Sequence, residues 1–150
     1  MNRKGFTLVE LLGAIVILAI IVAIITPSVM RILKNSDEAN YNMMIDNIIT
    51  GSKMYYEECK YGDIKNSDGT KKICSSSVDL TLGDLVKLGF VTGTNEGNKL
   101  IIKDPKTDKD ISDCNITINV STDTNTGKVT YEVIGTSGGN CPNGNLGSTN

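Results

Sequence analysis

A chain of 150 residues with a formal net charge of −2 has room for one modest domain and shows no basic surplus of the kind a nucleic-acid surface needs. It contains no histidine and no tryptophan, which excludes His-based catalytic triads and removes the commonest metal ligand. Its four cysteines, Cys59, Cys74, Cys114 and Cys141, form no Cys-x-x-Cys pair, so zinc-ribbon and thioredoxin spacings are missing as well.

Residues 1–5, MNRKG, are short and basic. Residues 6–26, FTLVELLGAIVILAIIVAIIT, carry one charge, Glu10. As a helix this run spans roughly 31 Å, which matches a bilayer core of about 30 Å. It is too long for the apolar region of a secretory signal peptide, and the nearest small-x-small site, Thr26-Pro27-Ser28, carries an unsuitable proline. Arg3 and Lys4 before the run are balanced by Arg31 and Lys34 after it, so charge alone does not orient the span. The even cysteine count decides: it reads as two disulfides in an exported domain, with buried thiols as the alternative.

Glu10 requires a reason. A carboxylate in an apolar span costs on the order of 3 kcal/mol at the centre and less near the end. One reading is a first-turn acid that complements the helix dipole and snorkels to the surface. The other supplies a cation. A cut after Gly5 would leave Phe6 with a free ammonium one helical turn from Glu10, and a neighbouring subunit's ammonium would serve equally. The result is a buried ion pair between subunits that sets their register.

The segment GFTLVELL, residues 5–12, resembles the class III signal of type IV prepilins and type II secretion pseudopilins. The resemblance implies cleavage between Gly5 and Phe6 by a membrane-bound prepilin peptidase, N-methylation of Phe6 by the same enzyme, and an assembly role for Phe6 and Glu10. Pro27 falls where many pilins carry a helix-kinking proline. The close match covers about the first 27 residues.

Beyond Pro27 the pattern turns amphipathic. Val29, Ile32 and Leu33, then Tyr41, Met44, Ile45, Ile48, Ile49 and Tyr55, recur at helical spacing. Residues 6–58 are thus expected to form one kinked helix roughly 80 Å long, its second half packed on the head. Gly51 lowers helix propensity there by about 1 kcal/mol without ending the helix.

In the head, residues 59–79 read as a polar loop. Residues 81–88, TLGDLVKL, read as a short helix with Leu82, Leu85 and Leu88 facing the core and Gly89 as its stop. Residues 99–103, KLIIK, read as a strand. Residues 115–121 and 129–133 alternate strictly and form a hairpin through TDTNTGK. A three-stranded antiparallel sheet results, followed by a Gly/Ser/Asn-rich tail over residues 136–150 that Cys141 is placed to tie down. Four cysteines allow three pairings. Local geometry favours Cys59–Cys74, closing the loop onto the helix end, and Cys114–Cys141, holding the tail to the sheet.

The expected class is α+β and pilin-like: a long N-terminal helix, transmembrane in its first half, packed on a small antiparallel head. Its divisions are a leader (1–5), a transmembrane and polymerisation helix (6–27), an amphipathic second half (28–58) and the head (59–150). Some pseudopilins bind calcium in a head loop, so the resemblance makes Asp104, Asp108 and Asp110 a candidate calcium loop, against the simpler reading of a solvated charged loop, while Asp123, Asn125 and Gly127 read as turn chemistry. No nucleophile–base pair, phosphate loop or metal cluster is legible, so neither catalysis nor a cofactor is expected. What the resemblance implies is a structural subunit held by one helix in the cytoplasmic membrane with its head outside, later part of an extracellular filament. The implied partners are copies of itself or other pilins, the prepilin peptidase and the assembly machinery. A pseudopilin of a secretion or DNA-uptake apparatus and a membrane-anchored binding head are the alternatives.

Overall fold

The computed structural model describes residues 7–62, 64–65, 69–72, 74–136 and 141–149. The chain divides into two compact units, Met1–Glu38 and Ala39–Asn150, and one helix, α1 (Leu8–Tyr61), contributes to both. A long apolar helix with a small antiparallel head makes the fold α+β.

In the first unit α1 is exposed residue after residue. Leu18 is 66 % exposed and Ile24 71 %. By length and composition this helix could cross a membrane. Apolar surface on every face is unfavourable in water and is relieved by lipid or by other apolar helices. Pro27 lies inside α1 and brings no N–H for the carbonyl of Ala23. Just before it, the Thr26 hydroxyl donates to the Val22 carbonyl at 2.6 Å. The helix continues past both.

In the second unit α1 buries one face: Met44, Ile48, Ile49, Gly51, Ser52, Tyr55, Tyr56 and Cys59. These positions recur every three or four residues, the spacing of a helix stripe. After α1 come β1 (Ser77–Thr81), α2 (Leu82–Lys87), β2 (Thr94–Glu96), β3 (Lys99–Ile101), β4 (Asn115–Thr122), β5 (Val129–Gly135) and β6 (Gly144–Thr149). The main sheet is antiparallel in the order β1-β4-β5-β6. Its register puts Val78, Ile118 and Val133 opposite one another across three strands, and all three are buried. Tyr56 of α1 meets Tyr131 of β5 edge-on, with ring centroids 5.8 Å apart. A fully buried apolar side chain such as Ile118 or Val133 stabilises the fold by about 1.5–3 kcal/mol.

The head sheet therefore has four strands rather than the three expected, and KLIIK is not one of them. Among the described residues Lys99–Ile101 pairs only with Thr94–Glu96, in a separate two-stranded ribbon that turns at Gly97. Its place in the main sheet is taken by β1, which lies partly in the stretch read as loop, and by β6, drawn from the tail. The short helix forms, with a capping box between Thr81 and Asp84. Leu82 and Leu85 are buried with Val86, but Leu88 is 52 % exposed rather than in the core. Leu88 is the C-cap residue, and the chain reverses at Gly89 (φ 84°), so the helical period no longer sets its direction.

Candidate assembly site

Gly5 and Phe6, the expected processing site, lie outside the described residues. Glu10 is the third residue of α1, and its nearest partner is Thr7, at the helix N-cap. The Thr7 N–H and hydroxyl both donate to Glu10 Oε2, at 3.0 and 2.8 Å, and the Glu10 N–H donates to Thr7 Oγ1 at 3.3 Å. This is a capping box, which satisfies N–H groups that an α-helix start leaves unpaired. It also gives the carboxylate two donors within an otherwise apolar stretch. Both donors reach Oε2, and among the described residues Oε1 receives no hydrogen bond. The signal is present in the sequence as Thr7-Leu8-Val9-Glu10, a T-x-x-E pattern that attention to the lone charge passes over.

Around this acid the helix offers only apolar side chains for lateral contact, Leu8, Leu11, Leu12 and Ile15 among them, each more than half exposed. Within the second unit the outward side of α1 is also partly apolar. Met43, Met54 and Tyr61 are exposed, 63 %, 52 % and 70 % respectively. The Met and Tyr residues thus split between two faces: Met44, Tyr55 and Tyr56 enter the core, and these three point away from it.

Both expected cysteine pairs are joined. Cys59–Cys74 has a Cα–Cα distance of 5.7 Å and Cys114–Cys141 one of 5.5 Å. The first ties the loop after α1 to the last turn of that helix. The second ties the segment before β6 to the start of β4.

The aspartates of the candidate calcium loop do not converge. Asp104 is buried and accepts from the Lys106 N–H at 2.9 Å and the Thr107 hydroxyl at 2.8 Å. Asp108 lies 3.7 Å from Lys103 Nζ. Asp110 accepts from the Ser112 N–H at 2.9 Å and from Lys99 Nζ at 3.2 Å. Hydrogen bonds from Ser112, then the Lys99 ammonium, hold the Asp110 carboxyl below the usual carboxylate range. Among the described residues no three His, Cys, Asp or Glu side chains gather as a metal would require. Asp123 works as a turn residue: its Oδ1 accepts from the N–H groups of Asn125 and Thr126, and Gly127 follows at φ 67°.

Residues 1–26 match the family model described as the prokaryotic N-terminal methylation motif. Neither a curated protein nor a solved structure matches the chain.

Proposed function

We propose that this chain, which carries the class III signal of type IV prepilin-like proteins over residues 1–26, is a structural subunit of a type IV pilus-like surface filament. The observation that carries the reading is an all-round apolar helix with one acid near its start, continuing into a disulfide-closed head. In this reading a peptidase cuts after Gly5 and methylates Phe6. The subunit waits in the cytoplasmic membrane with its head outside, and assembly replaces lipid around residues 8–26 with the same segment of other subunits. Apolar packing supplies the bulk of the attraction. The Glu10 carboxylate meets the Phe6 ammonium of a neighbour, and this polar contact fixes the axial register that apolar surfaces leave free. Nothing in this assembly requires the chain to be an enzyme.

Two measurements test the reading. Intact mass of the mature protein should correspond to a chain beginning at methylated Phe6; a retained Met1, or a cut near Ser28, would overturn it. Glu10→Ala should remain membrane-inserted and processed, because loss of a charge eases insertion. Its yield of sheared filament should fall steeply, and a normal yield would remove the intersubunit pair. Immuno-electron microscopy against the head separates this role from that of a pseudopilin: label along long surface filaments supports the pilus, label confined to the envelope the secretion or uptake apparatus.

A further inference from the structure

Tyr55 is 1 % exposed, buried where α1 meets the loop after it. Its ring packs edge-on against Phe90 at 5.6 Å. Lys72 Nζ donates to the Tyr55 hydroxyl oxygen at 2.6 Å and sits 5.4 Å from the ring centroid. The phenol is therefore an acceptor in this contact, and its own proton has no acceptor among the described residues. A buried donor left without a partner costs about 1–3 kcal/mol.

Tyr55 and Lys72 line a cavity of about 360 Å³ together with Lys65, Lys87, Asp79 and Asp84, and the hydroxyl can rotate its proton toward that space. The two acids are already engaged. Asp79 accepts from the Thr117 hydroxyl at 2.5 Å, and Asp84 accepts from the Thr81 N–H at 3.2 Å within the cap of α2. Among the described residues that line the cavity, three ammonium groups stand against two such carboxylates, a surplus of one positive charge.

We infer that this cavity is a binding site for a single carboxylate. The Lys72 ammonium and the Tyr55 hydroxyl are adjacent donors, placed side by side for the two oxygens of one carboxylate group. The charge surplus of one matches a monoanion, and Asp79 and Asp84 at the walls oppose a doubly charged phosphate or sulfate. A bound carboxylate would satisfy the buried phenol and neutralise the cavity together. The group could come from a free organic acid or from an Asp or Glu of a neighbouring copy; the second source rests on the filament reading, the first does not.

The test uses full-length protein in detergent micelles with tyrosine labelled by ¹³C at the ring ζ carbon. Five tyrosines give five resonances, and Tyr55→Phe identifies one of them. Sodium acetate replaces sodium chloride at constant ionic strength. The Tyr55 resonance should move and saturate with acetate while the other four stay fixed, and Lys72→Met should weaken the response about tenfold or more. In assembled filaments a Tyr55 resonance already at the saturated position identifies a neighbour's carboxylate as the ligand; one still free and responsive identifies a free acid. No saturable response in micelles, or an undiminished response in Lys72→Met, overturns the site. Should the protein form no filaments, the pilus reading fails while the micelle measurement still decides this one.

Discussion

The carbonyl oxygen of Phe90 lies 2.5 Å from where a Cβ on Gly51 would stand, and Val91 Cγ2 lies 2.7 Å from it. In an isolated helix Gly51→Ala would add about 1 kcal/mol of stability. Here the new methyl meets backbone, which cannot rotate away, and overpacking of that kind costs typically about 1–3 kcal/mol. Gly51→Ala is expected to lower the urea midpoint of the head at unchanged m-value. A raised midpoint would show that α1 and the Phe90 turn are not in this contact.

Tyr131 makes the second prediction. It is buried on β5 and donates a short hydrogen bond to Glu57 Oε1 of α1. Burial, then the Glu57 hydrogen bond and negative charge, push its phenol up from 10.0 to about 12. The folded pKa is raised, so the folded state holds the proton more tightly than the unfolded state does. The resulting stability is complete below about pH 10 and is lost as pH rises from there to about 12. A phenolate absorbance titration should show a late-titrating tyrosine that Tyr131→Phe removes. A wild-type curve with every tyrosine near 10 would contradict the pairing.

Ser52 is fully buried on the core face of α1, and its hydroxyl has no hydrogen-bond partner among the described residues. Ser52→Ala removes an unsatisfied polar group of small volume and improves helix propensity. The expected gain is about 1 kcal/mol, read as a raised urea midpoint. Destabilisation would mean that the hydroxyl has a partner, such as an internal water.

Periodicity made the helix and its two characters legible. An unbroken apolar run followed by an amphipathic stripe is a strong signal, and Met44, Ile48, Ile49 and Tyr55 occupy the core as that stripe implies, whereas Val29, Ile32 and Leu33 at its start are exposed and lie outside that core. The β4–β5 hairpin was equally plain, because Ile116, Ile118, Tyr131 and Val133 alternate. The outer strands were not. Ser77–Thr81 carries only Val78 and Leu80 inward, too short a pattern to separate from the polar loop before it. Gly144–Thr149 has no alternation at all. It is held by pairing with β5 and by close approach: a Cβ on Gly147 would meet Ile49 Cδ1 at 2.6 Å, so the strand needs the residue that a propensity scale counts against it. At the candidate site, Glu10 stood out because a charge in an apolar run is conspicuous. Thr7 did not, since its part is a local hydrogen bond that composition does not advertise.

The last prediction concerns β6 and the bridge behind it. Cys114 lies just before β4 and Cys141 three residues before β6, so their bond anchors the tail strand at the end where it enters the sheet. Few apolar contacts hold β6 otherwise. Its side chains are exposed or half-buried, and Leu146 is its main apolar contact with the core. In the chain-entropy model a bridge closing 27 residues contributes about 3.5 kcal/mol. The Cys59–Cys74 bridge closes 15 and contributes about 3 kcal/mol. The two losses should differ in where they are felt. With Cys114 and Cys141 both changed to serine, amide exchange should accelerate first in Gly144–Thr149 and along the β5 edge it covers, while Ser77–Thr81 and its ladder to β4 keep their protection. With Cys59 and Cys74 both changed to serine, exchange should instead rise at the last turn of α1 and leave β6 protected. Equal acceleration across all four strands in the first variant would mean that the bridge supports the sheet as a whole and that β6 is no separable part of it.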